Sequence, residues 1–172
     1  YFSLFPNAYD KMKKEITYKS WKFEVDFNRT KAVYDLVKTR SPEACECSAC
    51  KNFVANRENI YPKEIKILLQ ELGVDYKKES ELCHYCKLEN GLHFYGGWFH
   101  FKGIILEGKD AKINFPNGGS SFDSVSINQN FQIAFMKDSA LSFFDKVESK
   151  NLIQIEFLSN SDWVIDKDLE VI

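Results

Sequence analysis

The 172 residues carry 23 basic and 25 acidic side chains, a net charge of −2 with no long run of either sign, which excludes the basic stripe that neutralises phosphates and leaves no nucleic acid as an expected partner. At 20.0 kDa the chain is long enough for one well-buried core but short for two domains. No apolar run approaches the ~20 residues that cross a bilayer, so no membrane partner is expected, and 15 Phe, 8 Tyr and 3 Trp point to a β-rich core.

In chain order, residues 1–18 read as an N-terminal arm with a short helical turn over 8–14. The opening Tyr-Phe-Ser-Leu-Phe-Pro has neither the basic start nor the small-residue cleavage site of a signal peptide. Trp21, Phe23, Val25 and Phe27 alternate with Lys22, Glu24 and Asp26, the period of a half-buried strand. Val33, Tyr34 and Val37 then take helical spacing, closed by Ser41-Pro42. A short helix over 49–54 is expected behind the first cysteines.

The best helix follows. Pro62 suits its first position, Ile65, Leu68, Leu69 and Leu72 repeat at i, i+3, i+4 and i+7, and Gly73 sits where a left-handed cap belongs. Leu92, Phe94 and the run 98–106 suggest two strands around Gly96-Gly97, a turn or bulge. Further strands are expected at 112–115, 131–135, 152–157 and 163–165, with a helical stretch over 140–147 and a flexible loop over 116–126. The pattern describes one α+β domain over 1–172, with a mostly antiparallel or mixed β-sheet, two to three helices and a cysteine-rich metal knot.

All five cysteines lie between Cys45 and Cys86, as Cys45, Cys47, Cys50, then Cys83 and Cys86. C-x-C-x-x-C followed by C-H-x-C suits zinc, which takes thiolate sulfur and imidazole nitrogen at about 2.0 to 2.3 Å. Cys45, Cys47 and Cys50 can converge if 45–50 turns tightly into a helix; Cys83, His84 and Cys86 are each in reach as the fourth ligand. Enough ligands to close a tetrahedron favour a structural ion over a catalytic one, which needs an open position. Plain reduced thiols and a redox role are the competing readings. Odd, clustered cysteines without an export signal suggest a reducing compartment, the cytoplasm.

A second cluster lies in 92–103, where His93, Tyr95, Trp98 and His100 offer either a ligand cleft or an aromatic core with its histidines satisfied internally. No G-x-S-x-G elbow, phosphate loop, H-E-x-x-H or G-x-G-x-x-G occurs, so a non-enzymatic role is preferred and an enzyme is left as the alternative.

Three stretches stand in a distinctive order: 45–53 (CECSACKNF), Tyr61-Pro62 leading to Leu72-Gly73-Val74-Asp75, and Tyr95-Gly96-Gly97-Trp98-Phe99-His100-Phe101. Together with Arg29-Thr30, Ile155-Glu156-Phe157 and Trp163-Val164, they resemble a family of small bacterial proteins that brings no activity with it. The resemblance implies Cys45, Cys47, Cys50 and His84 as the ligand set, with Cys83 and Cys86 as bystanders. The resulting expectation is a bacterial, cytoplasmic, non-enzymatic protein-binding module with a structural zinc site. The alternative is a small-ligand binder or enzyme using His93, Tyr95, Trp98 and His100.

Overall fold

Period-two alternation builds the molecule around one large sheet. The computed structural model describes residues 13–39 and 41–171. Its strands are β1 (Lys14–Tyr18), β2 (Trp21–Val25), β3 (Glu81–Lys87), β4 (His93–Glu107), β5 (Lys112–Asn114), β6 (Ser120–Phe122), β7 (Val125–Asn128), β8 (Phe131–Met136) and β9 (Leu152–Ser161). The helices are α1 (Phe27–Leu36), α2 (Ser48–Ile60) and α3 (Lys63–Glu71). Seven strands form an antiparallel sheet in the order β1-β2-β4-β9-β8-β7, with β3 also on β4, while β5 and β6 pair separately.

β4 is the spine. Along one flank it pairs with β9 from His93 to Lys102. Along the other, β3 takes its first half and β2 takes residues from Gly103 onward. The gap between these two strands would strand backbone groups of β4, and α1 fills it. The Tyr34 hydroxyl donates to His100 O and accepts from His100 N, both at 3.1 Å, while Thr30 Oγ1 accepts from Lys102 N at 3.0 Å. Asp26, whose side chain caps α1, donates its own N–H to Lys102 O.

Aromatic side chains from one face of the sheet meet α2 and α3. Tyr61 touches the rings of Phe99, Phe131 and Phe157 at 5.3–5.9 Å, and Phe53 lies against Tyr95 at 5.3 Å. Ile65, Leu68, Leu69 and Leu72 are all buried there, as their spacing predicts, and Gly73 takes φ +82° at the end of α3. Pro62 is the N-cap of α3, one position before the expected one.

Several expectations are corrected. Residues 14–18, read as part of an arm, form β1, because Ile16 registers with Phe23 and is buried; residues 8–12 lie outside the described ones. Gly96-Gly97 makes no turn. Both lie inside β4, where a Cβ on Gly97 would sit 2.5 Å from Glu81 O and one on Gly96 2.7 Å from the Tyr85 ring. The absence of side chains serves close strand packing. The 140–147 stretch is not helical up to the 3₁₀ turn Lys146–Glu148, since Asp138 Oδ1 captures the N–H groups of Ser139 and Ala140 and Leu141 turns to φ +48°. The 116–126 loop contains β6 and the start of β7, and 163–165 forms no strand.

Candidate metal centre

Cys47 is the N-cap of α2, its Sγ accepting from Cys50 N at 3.4 Å. Capping by a side chain two or three residues before the first free N–H groups is what begins a helix, and here a thiol performs it. The same turn brings Cys45 Sγ to 3.2 Å from Cys47 Sγ, and the Sγ atoms of Cys45, Cys47 and Cys50 all lie within 4.8 Å of one another. Cys47 is exposed; the other two are half-buried.

The electrostatics of the trio are uneven. Burial opposes ionisation of Cys47, but hydrogen bonds from Cys50 and Cys45 outweigh it and lower its pKa below the ordinary thiol value. Burial and then the neighbouring sulfurs push Cys50 far up. The first thiolate is favoured over an ordinary thiol and the next is opposed by it, a conflict that a bound cation would relieve. The donor set of three soft thiols could therefore hold a metal ion.

Arg57 of α2 positions the approach to the trio. It pairs with Glu43, in the 3₁₀ turn Ser41–Glu43 just before Cys45, and with Glu79, just before β3, through Nε and Nη2 at 3.1 and 2.9 Å. Glu79 is fully buried and also accepts from the Tyr61 hydroxyl at 2.8 Å.

β3 brings the second ligand cluster alongside. His84 pairs with Tyr95 and their rings are 4.9 Å apart. The Tyr95 hydroxyl donates to Ala49 O, between Cys47 and Cys50, at 3.1 Å and accepts from Asn52 Nδ2 at 3.2 Å. Burial foremost, with a contribution from the charges of Cys50 and Cys47, raises this hydroxyl to about 12. His84 thus stands on the α2 side of the sheet, next to the residue that touches the cysteine turn. It is not within the 4.8 Å group, and its Nε2 lies 2.9 Å from His93 Nδ1. Cys83, its neighbour on the strand, faces the opposite side, where burial and then Glu81 and Glu156 raise its pKa. Cys86 is exposed beyond a bulge that separates it from His84.

His93, Tyr95, Trp98 and His100 do not share a cleft. With no bulge at Gly96-Gly97, alternation puts His93 and Tyr95 on the helix side and Trp98 and His100 on the other. Both imidazoles are completely buried. His100 Nε2 is 3.1 Å from Gln154 Oε1, Gln154 Nε2 donates to Glu156 Oε2 at 2.6 Å, and burial lowers His100 to about 4 and raises Glu156 to about 7. A cleft of about 710 Å³ lies elsewhere, between α2 and the β7–β8 turn, lined by Asn56, Asn128, Asn130, Asn160 and Ser161 and by none of these four.

Sequence reasoning missed Asn52, Arg57, Glu79 and Glu170. Asn52 and Arg57 fall on the Phe53 side of α2 and could have been flagged as polar residues on a buried face; nothing local marks Glu79 or Glu170. Among the described residues no helix is long and apolar enough to cross a membrane. Comparison with family models, curated proteins and solved structures gives no match.

Proposed function

We propose that this chain is a non-enzymatic, cytoplasmic bacterial protein-binding module whose fold is reinforced by a structural zinc ion on Cys45, Cys47, Cys50 and His84. The observation that carries the metal is the convergence of three Sγ atoms within 4.8 Å of one another on a helix-capping turn. Zinc is preferred because it accepts thiolates and imidazole in one tetrahedron, and a structural role because four protein ligands leave no position for water. His84 is preferred to Cys83 because the strand turns Cys83 to the far face.

A non-enzymatic role is supported by the burial of His93 and His100, each engaged by side chains, which withholds the imidazoles a general base would need. That same burial disfavours the small-ligand alternative at these residues. A protein partner is supported by the outer face of β3 and β4, where half-exposed Tyr85 lies 5.0 Å from Phe94 and next to Gly96.

The test is elemental analysis of protein purified without a metal-affinity step, with thiol titration and thermal melts. One zinc per chain is expected, with Cys45→Ser and His84→Ala each lowering both zinc content and melting temperature. A metal-free protein with five titratable thiols would overturn the reading.

A further inference from the structure

We propose that Glu170 and His93 form a relay that fixes the tautomer of His84 and presents its Nδ1 lone pair to the metal, so that the C-terminal segment helps set the thiolate centre. This rests on the zinc reading above, to which it adds His93 and Glu170, neither of them a ligand in that reading.

The chain of contacts is continuous. Glu170 follows the 3₁₀ turn Lys167–Leu169, and its Oε1 lies 3.1 Å from His93 Nε2. His93 Nδ1 lies 2.9 Å from His84 Nε2. Lys167 and Lys87, each at 2.9 Å, complete the donors around the Glu170 carboxylate. Lys167 foremost, then His93 and Lys87, hold that carboxyl down at about 2, so it only accepts hydrogen bonds.

Direction then propagates along the relay. Because Glu170 accepts, His93 Nε2 is the donor. With a single N–H on the His93 ring, and that one given to Glu170, His93 Nδ1 accepts and His84 Nε2 donates to it. The nitrogen of His84 left with a free lone pair is Nδ1, while Nε2 is committed to His93. Metal-bound histidines usually give their other N–H to a carboxylate, carbonyl or water, which orients the ring and raises its basicity. Here an imidazole backed by a carboxylate takes that place. His93 is fully buried, and Trp163 covers it with ring centroids 4.8 Å apart. Trp163 in turn donates to Asp166 O at 2.9 Å, which ties the cover to the turn that carries Glu170.

The experiment measures zinc affinity of the full chain by chelator competition, together with the visible spectrum of its cobalt(II) form. The proteins compared are wild type, Glu170→Ala, Glu170→Gln, His84→Ala and the double variant Lys87→Met/Lys167→Met. Glu170→Ala is expected to weaken zinc about 10- to 100-fold and to shift the cobalt d–d bands. Glu170→Gln retains an acceptor oxygen without the charge and is expected to fall between it and wild type, which keeps the test decisive should the alanine variant fold poorly. The double lysine variant removes the other partners of Glu170 but leaves its carboxylate to accept from His93, and is expected to bind zinc more tightly than Glu170→Ala.

A wild type that binds one zinc, loses it in His84→Ala and is unaffected by either Glu170 change would refute the relay and leave the zinc reading standing. A lysine variant as weak as Glu170→Ala would reduce Glu170 to a structural anchor and overturn the proposal. Wild type without zinc would overturn both readings together.

Discussion

Tyr34→Phe removes one oxygen atom and keeps the ring, including its edge contact with Phe143 at 5.5 Å between centroids. That oxygen satisfies both the N–H and the C=O of His100, at 3.1 Å each, in the gap of the β4 ladder that neither β2 nor β3 covers. Tyr34 is 2% exposed and His100 0%, so water does not replace the hydroxyl without local opening. An unsatisfied buried donor or acceptor costs about 1–3 kcal/mol. Two of them, less the desolvation relieved by losing the hydroxyl, give an expected destabilisation of about 3 kcal/mol. For a chain of this length that is a fall of about 6–12 °C in melting temperature. Urea unfolding should show a lower midpoint with an unchanged slope, since the surface exposed on unfolding is the same. The His100 amide should exchange faster than the amides of Phe99 and Phe101. A variant within about 0.5 kcal/mol of wild type, with His100 still protected, would refute the argument that α1 completes the sheet.

Glu156→Gln should change the pH profile of stability. The folded-state pKa of Glu156 is raised to about 7 from 4.5, so its contribution is fully present below pH 4.5 and is lost as the pH rises through 7. The shift corresponds to about 3 kcal/mol, so Glu156→Gln should be more stable than wild type at pH 8 by up to that amount and equal to it near pH 4. Differential unfolding across pH 4–8 checks this, and a constant difference would contradict it; comparing the two proteins cancels the opposite trend from His100, whose depressed pKa costs stability as pH falls from 6.5 to 4. Gly97→Ala should cost about 1–3 kcal/mol and loosen β3 from β4, because its Cβ would lie 2.5 Å from Glu81 O and 2.8 Å from the Phe157 ring. Amide exchange over Glu81–Lys87 reads that loosening, and unchanged protection there would count against the close-approach account of Gly96-Gly97.

Where one periodicity ruled, the sequence was easy to read. Trp21–Val25 alternates and is β2; the leucines of 65–72 repeat on one face and are buried. The cysteine trio was legible because C-x-C-x-x-C on a turn into a helix leaves the sulfurs little freedom to diverge. Strand β1 was missed because only Ile16 of its five residues is buried, so an edge strand resembled a polar arm. Gly96-Gly97 misled because glycine signals both turns and close packing, and only the position of Glu81 and Tyr85 distinguishes them. Gly96-Gly97 also hid the division of His93, Tyr95, Trp98 and His100 between two faces, since that division depends on strand register. Glu170 lies 77 positions from His93, a pairing that only the tertiary fold creates.

Arg57 has a consequence for how the metal would come and go. A single guanidinium holds Glu43 at the entrance to the cysteine turn and Glu79 at the entrance to β3, with more of its surface in the core than in water. The long loop between those points is closed by the fold, so an arriving ion need not supply the entropy of closing it. Small zinc domains that lack such a clasp unfold when stripped. An ion held by the trio would instead exchange from a folded protein, with the β-sheet circular dichroism retained in chelator, and occupancy would follow the free concentration of the metal around it.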